Sequence, residues 1–394
     1  MPMPSERRHD IDNMRSIAFL LLIVYHCGMY FVADWGWHIK SAHQSELLQS
    51  LMLWSAPWRM SLIFLISGLA LRYAERSITP FSLLRLRLRR ILVPLLFGMY
   101  VIVAPQLFFE LQQGHEYQGS YLEFLRMYWA TGGESFPEYR HGGWLLTWNH
   151  LWYLAYLLVF TFVFLLIRPL VKRLADRLDQ CSIHGFALLL LPSLALAGLG
   201  FWLQADYPSN HAIWGDWFNL ARYFLVFLLG YCFAKNTSCW QFLNGYRRWI
   251  LAAALIGYGG VLLVHNGVIE TDWTDGRQWA ALQLWGKSNA WLWILGACAF
   301  SYAYLQKQGP LGRYFQEAVL PWYILHQSYI IIIAMALKPL GLGGMSEFLI
   351  LLMTTVFACY VSYEVIRRIR LLRFLFGLKP HASMGGLLVY RPSQ

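Results

Sequence analysis

Apolar runs divide this chain. With about 20 predominantly apolar residues needed to cross a bilayer as a helix, the pattern predicts ten spanning helices, at 14–33, 57–75, 90–110, 149–168, 185–203, 218–235, 247–266, 286–306, 316–338 and 346–367. An even number of crossings puts both termini on one side. The intervening polar segments test this arrangement, because cytoplasmic loops collect Lys and Arg. Most of the 32 basic residues fall on alternate segments, with Arg7, Arg8 and Arg15 at the start, Arg72 to Arg90 after the second run, and Arg367 to Arg391 at the end. The expected fold is therefore all-α: a polytopic membrane protein with both termini cytoplasmic, one domain over 1–380 and a short cytoplasmic tail over 381–394.

Composition agrees. A chain of 394 residues with 58% hydrophobic and only 13% charged residues is too apolar for a soluble globule. The net charge of +11 raises nucleic acid as a partner, but the basic residues trace one side of a bilayer, so the partner is lipid and nucleic acid is set aside. The polar arm Ser5 to Asp10 runs into the first apolar stretch without a small-residue cleavage pattern, which predicts a retained first span. The six cysteines show no ligand spacing, so neither a metal site nor a disulfide framework is expected. Walker, dinucleotide-binding and HExxH patterns are absent, as are internal repeats, which argues against ATPases and zinc peptidases.

The two outer segments differ in kind from the basic ones. Residues 34–56 carry Trp35, Trp37, His38, Lys40, His43 and Glu46, and residues 111–148 carry His115, Tyr117, Tyr128, Trp129, Tyr139, His141, Trp144 and Trp148. Aromatics with scattered acids and histidines fit an interfacial belt, and they also fit a surface that stacks on sugar rings. A connection as long as 111–148 points to function or disorder, and its aromatic content argues against disorder.

Polar residues at membrane depth carry the candidate chemistry. In the first span Arg15 and His26 are eleven residues apart, which is about 20° beyond three turns and about 16 Å along the axis, so they share a helix face. His26 and His326 both lie about 15 to 18 Å into spans that rise from the inside. With Arg15 and Arg72 at the basic ends, and His150 and Arg222 near outer ends, they would outline a polar path across the membrane. A neutral imidazole can take a proton from an attacking hydroxyl and return it to a leaving group, which suits acyl transfer. Arg15 and Arg72 suit a phosphorylated donor entering from the cytoplasm, with Arg89 or Arg90 assisting. Asp12 is expected to pair with Arg15, and Glu364 with Arg367 or Arg368.

Ile11-Asp12-Asn13-Met14-Arg15, followed after ten residues by His26, resembles the Arg-x10-His signature of the acyltransferase-3 family of bacterial membrane enzymes. Phe64-Leu65-Ile66-Ser67-Gly68 with Arg72, His150-Leu151-Trp152-Tyr153-Leu154, Phe227-Leu228-Leu229-Gly230-Tyr231 and Tyr323-Ile324-Leu325-His326 follow in family order. Trp37 to Ala42 and Leu372 to Gly377 resemble the glucan-modifying branch, and the first span's Ile-Asp-Asn replaces the commoner Leu-Asp-Gly.

The resemblance implies an O-acyltransferase of the bacterial inner membrane. Its donor would be acyl-CoA, carrying succinyl or acetyl, with no tightly bound cofactor; its acceptor would be an extracytoplasmic glycan, a periplasmic glucan in that branch. His26 would be the general base with His326 assisting, and Arg15, Arg72, Arg89, Arg90, His150 and Arg222 would bind substrates. A carboxylate on the acyl group would call for Arg222 or Arg59. The rival reading is a transporter for an anionic solute, in which the same histidines and arginines bind cargo.

Overall fold

The computed structural model describes residues 8–75, 79–130, 132–140 and 144–380. The 381–394 tail, Arg7, Arg76, His141 and Arg391 of the sequence reading lie outside the described residues. Among the described residues the chain is helical, with a single isolated bridge between Val32 and Ser45 and no strand.

In chain order, α1 (His9–Met29) is followed by the short α2 (Glu46–Met52) and by α3 (Arg59–Ala74). A continuous helical stretch then contains α4 (Pro80–Arg87), α5 (Val93–Phe97) and α6 (Ala104–Gln113), joined through wider π-type turns at Leu88–Leu92 and Gly98–Ile102. There follow α7 (Tyr121–Trp129), α8 (Trp152–Gln180), α9 (Gly185–Leu203), α10 (Trp217–Phe233), α11 (Thr237–His265), α12 (Gly276–Tyr304), α13 (Pro310–Leu337), α14 (Gly344–Ile366) and the terminal α15 (Arg370–Leu375).

Among the described residues, six stretches are long and apolar enough to cross a membrane: Pro80–Gln113, Asn149–Gln180, Gly185–Leu203, Thr237–His265, Pro310–Leu340 and Gly344–Ile366. The other four predicted segments overlap α1, α3, α10 and α12. Several helices run well past the predicted apolar limits. The apolar count stops at the first charges, whereas the backbone stays helical wherever charges pair along the helix surface, as Lys172 does with Asp176 one turn on at 2.5 Å.

The chain divides into two compact units. The first comprises Met1–Ala18, Ser50–Ser82 and Val159–Gln316. Its closest helix pair is α3 with α10. A Cβ at Gly68 would collide with the Phe227 carbonyl oxygen, and one at Gly230 with the Leu65 carbonyl, so these glycines set the approach of the two backbones. Around them Phe64 packs on Phe160 and stacks on Tyr223, with ring centroids 5.2 and 4.8 Å apart.

The second unit comprises Phe19–Gln49, Leu83–Leu158 and Glu317–Gln394. Much of the long segment 111–148 is folded here. The α7 helix starts with a capping box, in which the Ser120 side chain accepts from the Glu123 backbone N–H and Glu123 accepts from that of Ser120. It packs Phe124 and Tyr128 on Leu107, Phe108 and Leu111 of α6, with Leu145 closing the cluster. The Ser120 hydrogen bonds hold the Glu123 carboxyl below its usual range.

Because the colliding groups at Gly68 and Gly230 are backbone atoms, which cannot swing aside, Gly68→Ala and Gly230→Ala should each destabilise the protein by about 1–3 kcal/mol. The thermal unfolding midpoint in detergent measures this. Unchanged midpoints would mean that α3 and α10 do not depend on that close approach.

Candidate active site

The second unit brings His26 of α1 and His326 of α13 into contact. The Nδ1 of His26 lies 2.8 Å from Nε2 of His326, and the rings are stacked 5.0 Å apart and nearly parallel. The other His326 nitrogen, Nδ1, faces the carbonyl oxygens of Tyr323 at 2.7 Å and Trp322 at 3.2 Å. Carbonyls only accept, so His326 carries its proton on Nδ1, and in the neutral ring Nε2 is left as an acceptor. The shared hydrogen bond must then be donated by Nδ1–H of His26. This leaves the lone pair of neutral His26 on Nε2, directed away from His326. His326 is fully buried, whereas His26 is partly exposed, so His26 is the ring that a substrate can reach.

A second layer of polar groups supports this pair. His150 lies edge-on to His326 with centroids 5.2 Å apart. Its Nε2 is 3.1 Å from the Ile324 carbonyl, and its Nδ1 is 3.2 Å from Nε2 of Gln106. His150 is thus held as the Nε2–H tautomer, with both ring nitrogens committed to protein partners. The Tyr323 hydroxyl donates to the His150 carbonyl. Gln106, wholly buried, is the hub: its Nε2 donates to Ser328 Oγ at 2.8 Å, and its Oε1 accepts from Gln327 at 3.1 Å and Asn149 at 3.2 Å. Gln327 also donates to Nε2 of His38 at 3.0 Å, and the opposite nitrogen of His38 lies 2.5 Å from Glu110.

The segment after α1 is fastened by its own polar groups. The Lys40 ammonium donates to the carbonyls of Met29 at 3.0 Å and Val32 at 2.7 Å, capping the C-terminus of α1. Burial lowers the Lys40 pKa against the pull of Asp34. Tyr30 and Ser41 both donate to the buried Glu347 of α14, at 3.1 and 2.8 Å. None of Gln106, Gln327, Glu110 or Glu347 was singled out from sequence. The available signal was an uncharged amide or an acid inside or beside an apolar run, which is rare at membrane depth.

The predicted cations are placed less uniformly. Arg15, in the first unit, donates to Asp12 at 3.2 Å, as its spacing implied, and Asp12 also accepts from Gln316 at 2.5 Å. Arg72 is only 3% exposed and lies among carboxylates: Asp176 at 2.5 Å, Asp179 at 2.7 Å and Glu75 at 3.5 Å, with Arg168 pairing with Glu75 from the other side at 2.7 Å. This arrangement holds helices together rather than presenting a free guanidinium. In the second unit Arg89 is exposed with its guanidinium over the Phe374 ring, and Arg90 donates to the Gly377 carbonyl at 3.0 Å. Arg222 belongs to the first unit, where it donates to Asn219 and Tyr223. Among the aromatics of segment 111–148, Tyr128 is buried and bonded to the Met99 carbonyl at 2.8 Å, while Trp129 and Trp144 remain exposed.

Comparison with known proteins is decisive on the family. The model described as an acyltransferase domain, that of the acyltransferase-3 family, matches residues 8–364. The chain belongs to this acyltransferase family. It is 25% identical over 398 residues to the glucans biosynthesis protein C of Escherichia coli O139:H28 (strain E24377A / ETEC), covering 96% of each chain, and the proteins of that name from strains SMS-3-5 and K12 match to the same extent. No solved structure matches it. The matched region includes both units' candidate residues, from Arg15 to His326.

In this acyltransferase, Gln106→Leu keeps the side-chain size but removes the partners of His150, Asn149, Gln327 and Ser328. Groups left unsatisfied in a dry interior cost about 1–3 kcal/mol each, so the variant should unfold at a clearly lower temperature in detergent. A wild-type midpoint would show that the amide hub contributes nothing to stability.

Proposed function

We propose that the protein moves a succinyl or acetyl group from cytoplasmic acyl-CoA to a hydroxyl of an extracytoplasmic glycan, a glucan by analogy with the relatives' printed name, across a bacterial inner membrane. The helices would cross it ten times with both termini inside. The observation that carries this reading is the tautomer order of the His26–His326 pair, which leaves a basic Nε2 on the accessible ring.

That nitrogen removes the proton of the acceptor hydroxyl as its oxygen attacks the thioester carbonyl. The resulting imidazolium keeps its Nδ1–H on His326, so the ring does not rotate between steps. When the tetrahedral intermediate collapses, the C–S bond breaks and the departing sulfur takes the proton from His26, leaving the ester and the free thiol of CoA. His326 acts as a positioning residue, since both of its nitrogens are occupied. His150 packs edge-on to His326 and is itself bonded to Gln106.

The donor's phosphates call for cations at the cytoplasmic ends of the helices. The exposed Arg89 with neighbouring Arg90, in the same unit as the histidine pair, suits that role. Arg72, committed to carboxylates, serves the fold. The transporter reading falls behind, because the chain belongs to an acyltransferase family.

Purified protein incubated separately with acetyl-CoA and succinyl-CoA, with and without glucan, should release free thiol in an acceptor-dependent manner with the preferred donor. General-base catalysis is worth about 10²- to 10⁴-fold, so His26→Ala should lower the rate by that order while the protein stays folded. His326→Ala should fall between His26→Ala and wild type and should also shift the pH profile, since it frees the His26 ring. Wild-type turnover in His26→Ala would refute the assignment.

A further inference from the structure

The first unit contains a cavity of about 180 Å³ whose lining includes Leu53, Ser61, Leu196, Ile294, Arg222 and Lys287. The last two are its charged lining residues, and no carboxylate lines it. Arg222 donates to Asn219 Oδ1 at 2.7 Å and to the Tyr223 hydroxyl at 2.5 Å, and its guanidinium lies over the rings of Tyr223 and Phe218, 4.3 and 5.0 Å from their centroids. Lys287 donates to Gln204 Oε1 at 2.7 Å and lies 4.9 Å from the same Phe218 ring. All of these partners are neutral. The Nε of Arg222 is buried without a hydrogen-bond partner. Asp216, at the start of the same helix, is engaged by the Asn219 amide at 3.0 and 3.1 Å and by the His211 backbone N–H at 3.0 Å.

Elsewhere in this unit three sheltered cations pair with acids. Arg72 meets three carboxylates, Arg168 meets Glu75, and Arg8 meets Asp10 at 2.7 Å. Two positive charges that share one aromatic ring and one cavity repel each other, and partial shelter from water raises that cost. A negative group from outside the chain would offset it.

We infer that this cavity binds a small oxyanion, a phosphate or a carboxylate, between Arg222 and Lys287, with the organic stem of the ligand against Leu53, Leu196 and Ile294. At about 30 Å³ per water in the liquid, the space suits a phosphate group or a short-chain carboxylate. The unpartnered Nε and the Lys287 ammonium supply donors to two oxygens of such a group. The site goes beyond the acyl transfer proposed above and does not rest on it, since the histidine pair belongs to the other unit.

The test uses the full-length protein purified in detergent, titrated calorimetrically with inorganic phosphate, with succinate and with the uncharged succinamide. The same protein is also compared in nanodiscs of phosphatidylglycerol and of phosphatidylcholine by thermal midpoint. At least one anionic probe should bind or stabilise, and succinamide should not. A response to phosphate or succinate identifies a free solute, and a response confined to phosphatidylglycerol identifies a lipid headgroup; either supports the site. Loss of one charge-assisted contact should weaken binding about tenfold or more in Arg222→Gln and in Lys287→Gln, with Arg222→Lys retaining part of it. Should Arg222→Gln fail to fold, Lys287→Gln, at a partly exposed position, carries the test. Absence of any response to the anionic probes, or wild-type affinity in Lys287→Gln, would overturn the proposal.

Discussion

The backbone carbonyls of Trp322 and Tyr323 set the chemistry of the candidate site. Because they accept from Nδ1 of His326, the proton on that ring is placed, and with it the direction of the hydrogen bond to His26. Helix geometry makes this possible, since a side chain can fold back onto the carbonyls three and four residues earlier. In an apolar interior no water competes for those carbonyls, so the arrangement has few alternatives. The polar groups behind it follow the same constraint. His150, Gln106, Gln327 and His38 each satisfy a neighbour, ending on the carboxylate of Glu110.

Charge is handled in two ways within the first unit. Arg72 lies among Asp176, Asp179 and Glu75, so it ties α3 to α8. Arg222 and Lys287 have amides, a phenol and aromatic faces as partners. A guanidinium in a family motif is therefore not by itself evidence of substrate binding; its partners decide. Removing one member of a buried ion pair strands the other, so loss of activity on replacing Arg72 would report folding as readily as donor affinity.

The long segment 111–148 shows how one composition serves two ends. Tyr117, Phe124 and Tyr128 pack as neighbours of Phe108, with ring centroids 5.5 to 6.1 Å apart along the chain of contacts. Their bulk builds the small core that anchors α7. Trp129 and Trp144, exposed nearby, are left for the surface. Composition registers both groups alike, because stacking on a neighbour and stacking on a sugar draw on the same residue types.

The sequence alone determined that the chain is helical and apolar, where the long helices lie, and which family it belongs to, because these follow from local hydrophobic period and from motifs in order. It also paired Asp12 with Arg15, a consequence of rotation along a single helix. Only the tertiary structure decided that the two histidines touch, three hundred residues apart in sequence, and that Gln106 and Gln327 complete their support. It likewise consigned Arg72 to carboxylates contributed largely from α8. The reason is physical: a helix periodicity says which face a residue occupies, but the partner that satisfies a buried polar group comes from another helix, whose identity no local pattern records.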